Sequence, residues 1–432
     1  MKPRVPSGAL SIAMISLHSG PLGPLGASRT GGLSVCLRAL ARELGRAGHR
    51  VDLFAPPPAG AAAEGPMALA PNVRLFPVVA ASPASPLDIH RQAEGCLETI
   101  ERLRRRAGTG YDLVHSHYWA SGRTAELASR AWGVPHVATL HTLAAGKRRF
   151  RGDGAERLAR LAAERRLAAA CDALIVPSPR EREILVRFCR AAAGRTAVVP
   201  WGVDFEVFRP VRRGEARGKL GIPETSEVVL YVGRLVPEKG LKRLFSAIAC
   251  LAGRERLRLL VVGGEGADDA RVRRFAAQAR ARGIERRVTF CGRVRPESLP
   301  LFYSAADLLA LPSSYESFGL VVLEALACGT PVAATPVGAA DFLLRDGKRG
   351  RLASGFAPAD LARAIAGILD AHLHSPLMAE ALRRSVAGYG WGQAAAGVLG
   401  VYRPLLSGRA VAASPEPEVR ACCGCGRGGV TR

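Results

Sequence analysis

The stretch at residues 311–335, LPSSYESFGLVVLEALACGTPVAAT, leaves a chain few ways to fold. It reads as a strand end, a polar turn at 313–317, a helix over 318–328 and a new strand at 332–334. Apolar residues recur at helical spacing, Gly329 suits the position just past the last turn, and Thr330-Pro331 stops the helix. Glu316 and Glu324 stand eight positions apart. At 1.5 Å rise per residue, one acid falls at the helix mouth and the other about two turns inside.

That arrangement suits a nucleotide-sugar. Glu316 can take sugar hydroxyls at the mouth, with Ser317 beside it. The unpaired N–H groups of Phe318, Gly319 and Leu320 can meet a phosphate. Gly319 lets backbone come close to a ligand, and Glu324 can accept two ribose hydroxyls. A bare pair of acids would read as an ordinary surface helix; the loop and the glycine are what set this stretch apart.

Upstream, a strand at 11–17 leads into the glycine-proline loop HSGPLGPLGASRTGGLS, a helix near 33–47 and a strand at 50–55. This order belongs to doubly wound sheets, although the dinucleotide spacing G-x-G-x-x-G is absent. Further strands are expected at 73–80, 113–116, 136–139, 173–177 and 196–200. A second unit opens at 226–233 in EVVLYVGRLVPEKG, with strands expected at 257–263, 288–290 and 308–311. A chain of 432 residues is too long for one typical core, so two domains are expected.

ESFGLVVLE resembles the E-x7-E motif of retaining glycosyltransferases of the GT-B fold, family 4 or group 1, and the likeness runs over roughly residues 11–405. The motifs are most similar to those of mycothiol-type inositol-phosphate N-acetylglucosaminyltransferases and of sucrose-phosphate synthases. The resemblance implies an α/β fold of two doubly wound, Rossmann-like domains facing across a cleft. Residues 1–203 would form the acceptor-side domain and 204–388 the nucleotide-sugar domain. A helix at 389–406 would cross back onto the first domain, and 407–432, rich in Gly, Pro, Ser and Arg, would be a disordered tail.

Arg234 and Lys239 in GRLVPEKG sit where both can converge on a diphosphate, the first as a fork of donors and the second as a point charge. Gly31 and Gly32 precede a helix and would let backbone approach the same phosphates. The resemblance assigns His141 to placing the donor sugar, so His141, Arg234, Lys239 and Glu316 are the expected catalytic set. Tyr118, Thr142, Lys147 and Arg160 match positions that hold a phosphorylated acceptor. Where a lysine of that pocket is expected, near 85–90, this chain has none; His90 or Arg91 are the nearest substitutes. His115 and His117 read as hydrogen-bonded structural histidines at a strand end. No carboxylate nucleophile is apparent on the first domain, with Asp153 and Glu156 read as loop residues. The family's retaining chemistry, in which the leaving phosphate deprotonates the incoming hydroxyl, is therefore expected, with no metal and no cofactor.

The net charge of +24 points to an anionic partner. The expected partners are a UDP- or GDP-sugar donor and a small phosphorylated or lipid-linked acceptor, with no nucleic acid. Arginine-rich stretches at 100–106 and 156–166 leave open a peripheral contact with an anionic membrane. Seven scattered cysteines read as buried free thiols of a reducing compartment, and Cys422, Cys423 and Cys425 as tail composition rather than a metal site. No apolar run reaches about 18 residues, and the chain is expected in the cytoplasm, with the inner membrane face as the alternative. The rival readings are a sugar-nucleotide epimerase of the same fold and a non-catalytic anion- or nucleic-acid-binding protein, which predicts salt-sensitive binding to RNA or DNA.

Overall fold

Strands buried on both faces read as near-continuous apolar runs, and here they build two parallel sheets. The computed structural model describes residues 8–23, 31–58, 65–79, 85–146, 154–190, 193–266, 268–371 and 376–408. The first sheet holds β1 (Ser11–Ile15), β2 (Arg50–Ala55), β3 (Met67–Ala70), β4 (Val73–Pro77), β5 (Leu113–His117), β6 (His136–Thr139), β7 (Ala173–Val176) and β8 (Thr196–Val198). The second holds β9 (Glu227–Val232), β10 (Leu257–Val262), β11 (Val288–Gly292), β12 (Leu308–Leu311), β13 (Val332–Ala334) and β14 (Gly350–Leu352).

Their spatial orders are β3-β4-β2-β1-β5-β6-β7-β8 and β11-β10-β9-β12-β13-β14. Every pairing is parallel except β3 against β4. In each sheet the chain first winds outward one way and then returns to the other side of its starting strand. The reversal lies between β1 and β5 in one sheet and between β9 and β12 in the other. Loops leaving adjacent strands in opposite directions open a crevice at such a switch point, which is where open α/β sheets bind ligands.

Several expectations shift by a residue or two. The short edge strands β3 and β14 carry too little periodicity to be read from sequence. The helix expected over 318–328 covers only Leu320–Ala327, because Gly319 holds φ at 90°, outside helical space. Glu156 lies in the Gly154–Ala170 helix rather than in a loop.

The chain crosses between domains at 200–204 and again at 389–391. Val203 and Gly390 form a parallel bridge. A Cβ on Gly202 would lie 2.4 Å from the backbone nitrogen of Trp391, so the two crossings touch only because that residue is glycine. The Trp391–Leu406 helix packs on the Gly32–Arg46 helix of the first domain. One apolar cluster runs from Leu37 and Leu40 through Trp201, Trp391 and Val398 to Leu323 and Leu326, joining both domains on this side.

Among the described cysteines, Cys36, Cys96, Cys171, Cys189 and Cys328 are buried and free. Cys250 is exposed at the C-terminal end of the Leu241–Ala249 helix and Cys291 half-buried on the edge strand β11, against expectation. The three tail cysteines and the expected disordered tail from 409 onward lie outside the described residues. No described helix is long and apolar enough to cross a membrane. The two arginine-rich stretches are only partly exterior: Ile100, Arg160, Ala163 and Glu164 are buried, and Arg104 pairs with Glu101.

Candidate active site

The loop after β9 and the loop after β12 meet at the second sheet's switch point. Ser314 donates through its N–H to Glu238 O at 2.8 Å and through Oγ to the same carbonyl at 3.1 Å. Gly240 makes the approach possible. Its φ is 71°, and a Cβ there would fall 1.9 Å from Pro312 O. The stitched loops bring Lys239 onto Glu316, with Nζ 2.7 and 2.9 Å from the two carboxylate oxygens. Ser313 Oγ donates to Glu316 Oε1 at 2.7 Å and anchors the carboxylate from behind.

Around this pair stand donors that no described residue accepts. Arg234 is exposed, and no described residue holds its guanidinium. The N–H groups of Phe318, Gly319 and Leu320 donate to no described residue. Ser317 Oγ is buried on the same loop, turned toward the Glu181 carboxyl of the first domain, which it helps to hold down. Two turns along, Glu324 accepts a hydrogen bond from the buried Tyr303 hydroxyl at 2.7 Å through Oε2. Burial pushes the Glu324 carboxyl up to about 7, against the pull of that hydrogen bond. Tyr303 gave no sequence signal beyond its helical period; only the packing of the Leu299–Ala305 helix shows that it holds Glu324.

Across the cleft, the loops after β1, β5 and β6 supply the first domain's side. Gly31 and Gly32 open the Gly32–Arg46 helix, and Gly32 faces the second domain: a Cβ there would sit 3.9 Å from the Leu320 side chain, whereas one on Gly31 would meet nothing within 4 Å. His141 follows β6 in a left-handed conformation, φ 59°, stacked on Trp201 at 5.6 Å between ring centroids. Its Nε2 lies 2.9 Å from His117 Nδ1. Burial pushes His141 down to about 3, and His115 and His117 are held well below the usual histidine range, first by burial and then by neighbouring histidines. Both rings of the 117–141 pair are therefore neutral and share one proton.

His117 Nε2 is buried with no partner. Were His141 the donor, His117 would carry its proton on that orphaned nitrogen, and buried unpaired N–H groups are rarer than bare acceptors. The lower-cost tautomer has His117 Nδ1–H donating to His141 Nε2, which leaves His141 with an Nδ1–H to offer. His117 is thus more than a strand-end histidine. His115 does fit that description, bonded to Tyr402 Oη at 2.6 Å and Thr139 Oγ1 at 2.9 Å.

Tyr118 and Thr142 are half-buried beside this cluster, and Arg160 stands behind them. Arg160 is 3% exposed, so the sequence expectation that it faces a ligand needs correcting. Its guanidinium donates to Glu164 Oε1 at 2.7 Å, to Thr142 O and Oγ1 at 2.8 and 3.0 Å, and lies over the Tyr118 ring. A buried guanidinium needs such partners, and the sequence could not show that Glu164, one turn on, would take it. Lys147 and Asp153 fall outside the described residues. In the place of the expected lysine, His90 packs on Trp119 at 5.6 Å, its Nδ1 buried without a partner, while Arg91 is exposed.

Known proteins match this chain over both domains. Residues 30–207 match the model "Glycosyltransferase Family 4", and 212–384 match "Glycosyl transferases group 1". A D-inositol 3-phosphate glycosyltransferase of Acidothermus cellulolyticus is 38% identical over 93% of this chain and 92% of its own. D-inositol 3-phosphate glycosyltransferase 2 of Catenulispora acidiphila is 38% identical over 90% and 94%. The sucrose-phosphate synthase of Thermosynechococcus elongatus superposes with a TM-score of 0.82 at 30% identity, covering 92% of this chain and all of that one. With the paired sheets, the facing switch points and relatives that align from end to end, this chain belongs to the family 4, group 1 glycosyltransferases.

Proposed function

We propose that this glycosyltransferase moves a hexose or N-acetylhexosamine, with retention of configuration, from a nucleoside-diphosphate sugar to a hydroxyl of a small phosphorylated polyol. The observation that carries this reading is the Lys239–Glu316 pair at the mouth of the Leu320–Ala327 helix, beside the N–H groups of 318–320 that no described residue accepts. A diphosphate can take Lys239 from Glu316, and the freed carboxylate, still anchored by Ser313, can then accept sugar hydroxyls. Arg234 and the helix mouth add positive charge where the departing phosphate becomes negative, which is where fixed charge stabilises a transition state most. Glu324, braced by Tyr303, takes the ribose hydroxyls. Because these groups already supply cationic charge, the reading calls on no metal and no cofactor.

Retention without a protein nucleophile is supported by where the buried acids are. Glu164 is committed to Arg160 and the Ala144 N–H, and Glu181 to Tyr315. The leaving phosphate is then the base that takes the acceptor's proton on the face it vacates. The His141 Nδ1–H is a hydrogen-bond donor for the sugar. Tyr118 and Thr142, oriented by Arg160, are the first contacts for the acceptor, with Lys147 at its border. The relatives named for D-inositol 3-phosphate support a phosphorylated polyol. The missing lysine near His90 argues for a changed acceptor pocket, with a lipid-linked acceptor and peripheral contact at the inner membrane face as the second arrangement to test; placement in the cytoplasm goes with either.

The test is nucleotide release from UDP-glucose, UDP-N-acetylglucosamine and GDP-mannose, each with inositol phosphate, sugar phosphates or lipid extract, alongside co-sedimentation with anionic liposomes. One donor should release its nucleotide only when an acceptor is present, and NMR should show the product with the donor's anomeric configuration. An inverted product, or free sugar formed equally well without any acceptor, would overturn the reading.

A further inference from the structure

The loop that carries Glu316 sends its neighbouring side chain out of its own domain. Tyr315 crosses into the first domain, where its hydroxyl donates to Glu181 Oε1 at 2.6 Å and accepts the Leu143 N–H at 2.9 Å. Leu143 lies two residues beyond His141, and Glu181 opens the Pro179–Cys189 helix after β7. The ring lies flat against Gly146, where a Cβ would come within 2.4 Å of Tyr315 Cε2. Beside it, Ser178 Oγ donates to Ser317 O at 3.1 Å, a second bond between the domains on the same loop.

Tyr315 is the first of the groups that stabilise Glu181, ahead of Ser317 and Arg160, and the described partner of the Leu143 N–H. Glu181 is 2% exposed, and the Leu143 N–H is otherwise unpaired among the described residues. A buried acid and a buried N–H are costly unless matched, and one phenol answers both by donating to the first and accepting from the second. It joins the two halves of the candidate site directly: Glu316 is one residue from the ring on one side, and His141 two residues from its partner on the other.

We propose that Tyr315 is a positioning residue whose docking against Gly146, Leu143 and Glu181 sets the spacing between His141 and the Lys239–Glu316 pair. It touches no substrate. The proposal rests on the glycosyl-transfer reading for its catalytic consequence, but its structural consequence does not depend on that reading.

Two variants reach the contact from opposite sides. Tyr315→Phe removes both hydrogen bonds and keeps the ring; Gly146→Ala keeps the phenol and blocks its seat. Both should bind UDP or GDP, whichever the wild type takes, within about twofold by calorimetry, since those contacts lie in the second domain. Both should lower kcat by about 10²-fold, the usual consequence of misplacing reacting groups by an ångström. Small-angle scattering of the nucleotide-bound protein should show a larger radius of gyration in both variants than in the wild type. If either folded variant keeps the wild-type kcat and scattering curve, Tyr315 does not set the spacing. A wild type that binds no nucleotide diphosphate would instead sink the donor reading, and scattering of the ligand-free proteins would still decide the contact.

Discussion

Lys239 and Glu316 hold each other, so a change to either has two effects. On the proposed reading, Lys239→Ala would remove a cation from the departing phosphate and leave Glu316 uncompensated. Turnover with the natural donor should fall by about 10²-fold or more, with the larger loss in kcat rather than KM, read by steady-state kinetics. Glu324 acts on binding instead. Its carboxyl stands near 7 rather than at the ordinary 4.5 because of burial. Between those values the folded state holds the proton more tightly than the unfolded chain does, so Glu324 subtracts stability as pH rises through that window. Ribose hydroxyls need an acceptor, and the ionised carboxylate is acceptor-only. Donor KM should therefore fall as pH rises from about 6 to about 8, and Glu324→Gln should raise KM and abolish the slope.

At the scale of elements, the site is made by two loops that touch, and one glycine decides whether they can. Gly240→Ala would force a left-handed φ on alanine and drive a methyl into the Pro312 carbonyl. The expected cost is about 1–3 kcal/mol. Melting should occur several degrees lower by calorimetry, and donor KM should rise, because Glu238, Lys239 and Ser314 would no longer meet. The sequence made the helix of the E-x7-E stretch legible, since its acids, glycine and stop signal are local. It misplaced the first turn, because Gly319 takes a left-handed conformation that apolar spacing does not encode. It also gave Arg160 to the ligand, since nothing in its spacing shows that Glu164 and the Thr142 carbonyl fold around it.

At the scale of the molecule, the last helix ties the second domain to the first. Tyr402 at its inner face bonds to His115 on β5. Tyr402→Phe would leave His115 Nδ1 buried and unpaired, costing about 1–3 kcal/mol. Thermal unfolding should shift down by several degrees while nucleotide binding to the second domain stays as in the wild type; an unchanged transition would mean that water replaces the phenol. The sequence by itself determined the two sheets, the glycine loops and the family, because strand periodicity, helix stops and motif spacing are written over short spans. Only the tertiary structure decided that those loops lie at the two switch points, that His117 sets the proton on His141, that Tyr303 braces Glu324 and that Tyr315 reaches Glu181. These pairs stand from about twenty to well over a hundred residues apart, and strand order, which no local pattern encodes, is what brings them into contact.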